Sequence, residues 1–368
     1  MSAPRLEIDL DAVHHNARTL VGSLGPLGIG VTGVTKAVLG SPVVGGAMVD
    51  AGVARLGDSR IENLERLRRA GITAELVLIR SPMCSQVDRV VASADISCNS
   101  EAAVLHALST ASSSVGTVHH VVVMVDLGDR REGVMPPDLA ALAALVLELP
   151  GLSLRGIGTN LACQNGVSPD VANMAQLSSL AEDVEARLGV TLSMVSGGNS
   201  ANLDWALGCD PGHTGRINDL RLGESILLGR ETLHRSAVPG LRTEAITLVA
   251  EVIESKAKPS APVGTIAQTA FGWAPAGSTH ESRGPRTIVA IGEQDTDPSG
   301  LRAPGDVCIE GASSDHLVVT APGTFPLGAE LRFGVDYSAL LRAMTSPFVE
   351  RRIVSDGLAA AAVGPLQG

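Results

Sequence analysis

The segment VTGVTKAVLG (31–40) decides the fold of the first two thirds of the chain. It predicts a short apolar strand that ends in a lysine and a glycine turn. Seven more apolar runs follow it at intervals, which predicts a repeated strand pattern. The eight runs are VTGVTKAV (31–38), ARLGDS (54–59), ELVLIR (75–80), ADISCNS (94–100), HVVVMVDL (120–127), LRGIGTNL (154–161), LSMVSGGNS (192–200) and LRLGESILLG (220–229).

The segments between these runs predict helices. In RIENLERLRRA (60–70), apolar residues recur at three-residue steps opposite a charged face. The segment 136–149 begins with prolines, and 171–189 ends in a glycine, as helices commonly do. Parallel strands need such crossover connections. Eight strand–helix units in roughly 200–250 residues predict a (β/α)8 barrel. The alternative is an open doubly wound sheet, but no GxGxxG follows the first strand.

The pattern changes near Thr243, where strand-like segments follow one another without crossover helices. We therefore expect an α/β protein with a barrel domain at 1–240 and a mostly antiparallel β domain at 241–368. The segment YSALLRAMTSPFVERR (337–352) predicts a final helix. The strand-like segments are EAITLVAEVIESKA (244–257), RTIVAIGEQD (286–295), DVCIEGASSDHLVVT (306–320) and GAELRFGVDY (328–337).

Composition excludes several classes of function. The 368 residues carry a net charge of −11 and 2% aromatic residues, which argues against a nucleic-acid or anionic-membrane partner. The five cysteines form no CxxC pair, which favours reduced thiols over a disulfide or metal framework. No apolar run approaches the ~18 residues of a membrane span, and the N-terminus has no signal-peptide pattern. We therefore expect a cytoplasmic protein with no bound metal.

Lysine is the most informative residue type. The chain contains three lysines, Lys36, Lys256 and Lys258, of which only Lys36 lies in the predicted barrel. It follows the first strand, at the barrel face where catalytic groups of such enzymes lie. A lysine amine can lose its proton and attack a carbonyl, whereas an arginine stays charged. Lys36 is therefore predicted to form a Schiff base.

Two loops predict a phosphate site. SGGNSANL (196–203) follows the seventh strand and offers Asn199 and Ser200 beside glycine N–H groups, and RLGES (221–225) lies on the eighth strand. Loops after strands seven and eight of a barrel commonly bind phosphate through free amides. Together with Lys36, these loops predict a phosphorylated aldehyde cofactor.

Seven segments carry a more specific signal, and they keep their order along nearly the whole chain. They are TKAVLG (35–40), VDLGDRREG (125–133), GTNLACQNG (158–166), SGGNSAN (196–202), INDLRLGESILLGRET (217–232), GASSDHLVV (311–319) and YSALLRAM (337–344). In these segments the chain resembles the alanine/ornithine racemase family of fold-type III pyridoxal-phosphate enzymes. The last two segments are more similar to ornithine racemases than to alanine racemases.

The resemblance implies a pyridoxal 5'-phosphate cofactor attached to Lys36, which is also one of two acid/base groups. It implies that Arg221 faces the pyridine nitrogen and keeps it unprotonated. It places Arg131 near the ring oxygen and the substrate carboxylate. Asn160 stands beside the cofactor ring, where alanine racemases carry a histidine. The implied phosphate ligands are Asn199, Ser200, Gly223 and Tyr337.

The second acid/base group departs from the family pattern. Alanine racemases supply a tyrosine from the partner subunit's β domain, but the matching stretch PVGTIAQTAFG (262–272) has none, and Thr269 lies nearest. A threonine hydroxyl is a poor proton acceptor near neutral pH. We therefore expect His316 and Asp315 to supply this group, with Cys163 as a further candidate, because a histidine titrates in the right range.

The predicted function is racemisation of an amino acid by Cα proton removal and return on opposite faces, in a homodimer whose β domain caps the partner's barrel. Four carboxylates could receive a basic side chain, which favours ornithine or lysine as substrate; they are Asp129, Glu132, Glu224 and Asp315.

Four alternatives remain open. A lyase or decarboxylase of the same fold is one, although no Glu-Pro-Gly-Arg pattern occurs. A racemase of another amino acid is the second. The third is a non-enzymatic carrier of the cofactor, against which the additional domain argues. The fourth is a Schiff-base aldolase that uses Lys36 without a cofactor.

Overall fold

The computed structural model describes residues 4–259, 261–268, 271 and 284–355. They form two compact units, a barrel between Asp11 and Thr243 and a sheet unit. The sheet unit contains the residues from Glu244 onward and also the N-terminal strand β1 (Arg5–Asp9). The sequence-based division placed residues 1–240 in the barrel, whereas the structure places β1 with the sheet because β1 pairs there with two other strands.

The barrel prediction is confirmed, because eight parallel strands close on themselves in chain order from β2 to β9. Each of the eight apolar runs overlaps one strand. In the last run, however, the strand ends at Leu222 and a short helix occupies Glu224–Leu228. The strands are β2 (Gly30–Val34), β3 (Arg55–Asp58), β4 (Glu75–Leu78), β5 (Ile96–Asn99), β6 (His119–Met124), β7 (Leu152–Gly158), β8 (Met194–Ser196) and β9 (Asp219–Leu222).

Helices connect the strands, as parallel pairing requires. Asp170 caps α7 with its side chain and Gly189, in the left-handed conformation, ends it, so the stop predicted at that glycine is confirmed. Within the described residues, no helix is both long and apolar enough to span a membrane. The helices are α1 (Leu10–Leu24), α2 (Pro42–Asp50), α3 (Ile61–Arg69), α4 (Val87–Ser93), α5 (Ala102–Ser114), α6 (Leu139–Glu148), α7 (Val171–Leu188), α8 (Leu203–Leu207) and α9 (Glu224–Leu228).

Alternate residues of the barrel strands pack on opposite faces. On β6, Val121 and Val123 pack against the surrounding helices, whereas Val122 joins Ile96 and Cys98 of β5 in a cluster built from strand residues alone. That second cluster fills the barrel interior. The barrel is therefore a packed core, and only its carboxyl-terminal end is left for a site.

The sheet unit is mostly antiparallel, as predicted, in the order β12-β15-β10-β11-β14-β13. β1 pairs antiparallel with β10 and parallel with β16. The elements are β10 (Ile246–Lys256), β11 (Arg286–Val289), β12 (Leu301–Arg302), β13 (Cys308–Ala312), β14 (Leu317–Thr320), β15 (Glu330–Val335), α10 (Tyr337–Thr345) and β16 (Glu350–Val354).

The prediction of one helix over 337–352 is wrong in its second half. The helix α10 ends at Thr345, and Ser346 has an extended backbone before Pro347. A proline disfavours the helical conformation of the residue before it. The chain then continues as β16, which gains backbone hydrogen bonds by pairing with β1.

Candidate active site

Lys36 lies at the carboxyl end of β2, where it begins a short 3-10 turn in a half-buried position. The turn closes through Leu39 and Gly40, both with a left-handed backbone. A Cβ on Gly40 would lie 2.6 Å from that of Asn63, so only a glycine fits there. The other two lysines lie in the sheet unit, where both bind the partly exposed Glu254. The sequence argument for Lys36 is therefore consistent with its place in the fold.

A buried carboxylate anchors the residue before Lys36. The Thr35 hydroxyl donates to Asp58 at 2.8 Å, and Asp58 also accepts the Asn63 amide and the Arg60 N–H, each at 3.0 Å. Burial raises the pKa of Asp58, and these donors oppose the rise. The end of β2 is thus tied to the end of β3, which limits the movement of Lys36.

Arg221 lies on β9 and is almost completely buried, with 6% of its surface exposed. Its guanidinium donates to the Ser196 hydroxyl, to the Thr159 carbonyl at 2.6 Å and to the Asn160 side-chain oxygen at 3.3 Å. Ser196 in turn donates to Asp219, which is 2% exposed. The positive charge of Arg221 is therefore held in one orientation at the end of the barrel.

The two predicted phosphate loops meet at the ends of β8 and β9. The Ser200 hydroxyl lies 3.0 Å from the Ser225 hydroxyl and accepts the Ser225 N–H at 3.2 Å. Asn199 caps its turn through the Ala201 N–H at 2.8 Å, and its amide donates to Asn160 at 3.1 Å. Gly223 allows the close approach of β9 to β2, because its Cβ would lie 3.1 Å from that of Val34.

The donor set at these strand ends fits a phosphorylated aldehyde cofactor. It combines one primary amine (Lys36), one buried guanidinium (Arg221), and hydroxyl, amide and glycine backbone groups on two adjacent loops. An amine can hold an aldehyde, and N–H and hydroxyl donors can hold a phosphate. All of these groups belong to the barrel unit.

Three of the charged residues in the loop after β6 have different roles. Asp129 is 1% exposed and accepts four backbone N–H groups from the loop after β7, at 2.8 to 3.4 Å. These donors outweigh burial and lower its pKa. Arg131 binds Glu132 through two guanidinium nitrogens. Burial tends to lower the pKa of Arg131, but the hydrogen bond that it donates to Glu132 and the nearby negative charges together raise it.

The remaining predicted site residues belong to the sheet unit. Tyr337 is the first residue of α10, which Asp336 caps by accepting the Ala339 N–H at 2.8 Å. His316 and Asp315 lie between β13 and β14, with the imidazole Nδ1 2.9 Å from the carboxylate. Both side chains are about half exposed, and the imidazole lowers the pKa of Asp315. Thr269 lies outside the described residues.

Sequence reasoning missed the residues that hold Arg221. Ser196 and Asp219 stand inside the quoted segments, yet no motif marks them as partners, because they are separated by 23 residues. The available signal was that Asp219 stands two positions before Arg221 on the same strand. Residues i and i+2 of a strand share one face.

The amino-terminal domain of alanine racemases matches residues 8–230. The ornithine racemase of Acetoanaerobium sticklandii is 35% identical over 95% of this chain and 99% of its own length. The lysine racemase of Thermotoga maritima is 38% identical over 95% of this chain and 98% of its own. This chain belongs to the alanine racemase family. The resemblance inferred from the seven segments is thereby confirmed, and with it an amino-acid racemase that uses pyridoxal phosphate.

Two solved structures share the fold of this chain. The alanine racemase of Streptomyces lavendulae superimposes with a TM-score of 0.73 over 96% of this chain and 98% of that one, at 19% identity. The D-threonine aldolase of Filomicrobium marinum gives 0.71 over 94% of this chain and 89% of that one, at 18% identity. At these identities the comparison concerns the architecture alone. It agrees with a closed barrel and excludes the open doubly wound sheet.

Proposed function

We propose that this racemase acts on a basic amino acid such as ornithine or lysine. The observation that carries the proposal is the similarity to an ornithine racemase and a lysine racemase over nearly the whole chain. The similarity includes the sheet unit, where the GASSDHLVV and YSALLRAM segments lie. An alanine racemase of Desulfosudis oleivorans, by contrast, is 31% identical over only 54% of this chain.

The barrel residues have distinct proposed roles. Pyridoxal phosphate, when bound, supplies an electron sink that acidifies the Cα–H of an amino acid. The Lys36 amine would hold its aldehyde carbon and exchange a proton with the substrate on one face. Arg221 would lie against the pyridine nitrogen, and its orientation is maintained by Ser196 and the Thr159 carbonyl. Asn160 would lie beside the ring, linked to Arg221 by its side-chain oxygen.

The phosphate would be bound by Asn199, Ser200, Gly223 and Tyr337, and the substrate carboxylate by Arg131. The support for the first three is that their loops meet at adjacent strand ends. The support for Arg131 is a fork of guanidinium nitrogens that already binds a carboxylate, that of Glu132.

For the proton on the opposite face we propose His316, oriented by Asp315, in a homodimer that brings the sheet unit of one subunit to the barrel of the other. The contact between the imidazole and the carboxylate supports a group that can accept and return a proton. Cys163 is the alternative in the barrel, where its sulfur accepts the Asn160 amide at 3.0 Å. We also propose a cytoplasmic location.

A panel of single enantiomers, with chiral chromatography of the products, tests the proposed activity. We expect D- and L-ornithine and lysine to racemise and to incorporate deuterium at Cα from D2O. Lys36→Ala removes the amine and should reduce kcat/KM by at least about 1000-fold. Lys256→Ala is the matched control, because that exposed amine binds a carboxylate of the sheet unit.

The proposed substrate class is wrong if ornithine and lysine are inert while another amino acid racemises. Release of carbon dioxide or of an aldehyde would instead indicate a decarboxylase or a lyase. Borohydride reduction followed by peptide mapping should place the cofactor on Lys36, and a modified peptide lacking Lys36 contradicts its role.

A further inference from the structure

We infer that Glu132 selects the basic side chain of the substrate, by exchanging partners with Arg131 when the substrate binds. The inference rests on the proposed racemisation of ornithine or lysine. It begins from the four carboxylates that the sequence offered as acceptors for a second ammonium group. The structure gives three of them other partners.

Asp129 is enclosed by the loop after β7, whose backbone N–H groups use both of its oxygens. Its carboxylate therefore stabilises the loop. Glu224 is 7% exposed and binds Arg235, so it is already neutralised within the barrel unit. Asp315 binds His316 on the surface of the sheet unit, with 56% of its side chain exposed. Each of the three therefore already has a partner within the protein, namely a loop backbone, Arg235 or the proposed general base His316.

Three more carboxylates lie near the strand ends, and they too are engaged. Asp58 and Asp219 are buried within hydrogen-bond networks. Asp126 accepts the N–H groups of Gly128 and Arg130, at 2.8 and 3.1 Å, within its own loop.

Glu132 differs from these carboxylates because its partner, Arg131, is also the proposed ligand of the substrate carboxylate. Both of its oxygens bind Arg131, and its side chain is 22% exposed. Glu132 lies in the loop after β6, and this loop returns to the end of its own strand, where Val134 pairs with Val125. The loop therefore lies at the carboxyl-terminal end of the barrel, where Arg221 binds the Thr159 carbonyl and Asn160 beyond β7.

The charges of the pair match those of a basic amino acid. Arg131 and Glu132 together are neutral, and so are the α-carboxylate and the distal ammonium of ornithine. When the α-carboxylate takes the guanidinium fork, Glu132 loses its partner and accepts the distal ammonium. No charge is left unpaired in this exchange.

A neutral amino acid cannot complete the exchange. Its α-carboxylate would still displace Glu132 from Arg131, but the carboxylate of Glu132 would then be partly buried without a cation. Unpaired charges in such sites carry a large penalty. The pair therefore discriminates against neutral substrates as well as favouring basic ones.

Glu132→Gln tests this inference in the cofactor-loaded enzyme, with ornithine and norleucine as substrates. Norleucine carries a methyl group in place of the distal ammonium of ornithine. We expect kcat/KM to fall about 10- to 100-fold for ornithine and to stay constant or rise for norleucine. Glu182→Gln, an exposed carboxamide substitution on α7, should leave both values unchanged.

Equal losses for the two substrates would show that Glu132 only positions Arg131, and would overturn the inference. Glu132→Asp keeps the charge but withdraws it by one methylene, so the lysine-to-ornithine ratio of kcat/KM should rise; an unchanged ratio also contradicts the inference. If the unmodified enzyme racemises neither ornithine nor lysine, the proposed function itself fails, which is a separate result.

Discussion

At the residue scale, hydrogen bonding and burial determine which polar side chains of the barrel are held in place and which are held neutral. Asp58 and Asp219 accept hydrogen bonds from neighbouring strands, and each fixes a residue next to a proposed cofactor contact. His119 on β6 is different, because it is 2% exposed and lies 2.7 Å from the Ser97 hydroxyl. Burial, together with the charge of His120, lowers its pKa to about 4. His119 is thus held neutral in the folded protein.

This neutral histidine predicts a loss of stability in mild acid. Between pH 6.5 and about 4 the unfolded chain binds a proton at His119 and the folded protein does not, so the free energy of unfolding decreases as the pH falls through this window. The full effect is about 3 kcal/mol. Chemical denaturation of His119→Gln should show a flatter dependence on pH over this range.

His106→Gln, at an exposed position on α5, should retain the pH dependence of the unmodified protein. If the free energy of unfolding of His119→Gln depends on pH in the same way as that of His106→Gln, His119 is not the group that titrates in this window. The pKa values of Glu185 and Glu254 are lowered from 4.5 to about 2 by the basic side chains that bind them, so they also reduce stability as the pH falls through about 4.5. Both histidine variants retain these carboxylates, so their contribution cancels when the two profiles are compared.

At the scale of the elements, closure of the barrel depends on a glycine in β7. A Cβ on Gly156 would lie 1.7 Å from the Met194 carbonyl oxygen of β8, which is a backbone atom and cannot rotate away. Strands β7 and β8 pair in parallel at this point. The same pair of strands carries Asn160 and Asn199 beyond its ends, so the strand spacing also sets the geometry of the site.

Gly156→Ala should therefore destabilise the protein by at least about 3 kcal/mol, because the strands must separate. Gly46→Ala is the matched control: it lies inside α2, its Cβ would meet nothing within 4 Å, and it should stabilise by up to about 1 kcal/mol. Urea unfolding with circular dichroism measures both. Similar stabilities for the two variants would show that β7 and β8 do not need this close approach.

At the scale of the whole molecule, the chain begins in the sheet unit, forms the barrel and returns to the sheet. β1 supplies a strand between β10 and β16, and Arg5 within it binds Glu330 at 2.6 and 2.7 Å. Arg5 and Glu7 are both buried, so this first strand is an integral part of the sheet. In the proposed homodimer, the two groups that exchange protons with the substrate, Lys36 and His316, belong to different subunits.

This arrangement predicts complementation between two inactive variants. Lys36→Ala and His316→Gln should each be inactive alone, whereas mixing them after reversible dissociation produces heterodimers with one intact site. About a quarter of the original activity should return if subunits exchange at random. Light scattering should give about twice the chain mass of 37.7 kDa.

Activity of His316→Gln alone would exclude this histidine, and Cys163→Ala would then be the variant to assay. A mixture that stays inactive, although exchange is demonstrated by mass labelling, would show that both groups act within one subunit.

Local patterns in the sequence were sufficient for the barrel and for its proposed cofactor contacts. Strand and helix periodicities depend on neighbouring residues, so the eight runs and the helix ending at Gly189 could be predicted. The position of Lys36 followed from the chemistry of an amine at a strand end. Family segments then assigned Arg131 and Arg221 their proposed roles.

Only the tertiary structure showed which charged groups have partners. Asp129 and Glu132 stand three residues apart and look alike as carboxylates, yet one is used by the backbone of a distant loop and the other by a neighbouring arginine. Likewise, β1 and β16 form strands because they pair with each other. More than 340 residues of chain separate them. Hydrogen bonding and burial between distant segments depend on three-dimensional proximity, which short-range patterns do not encode.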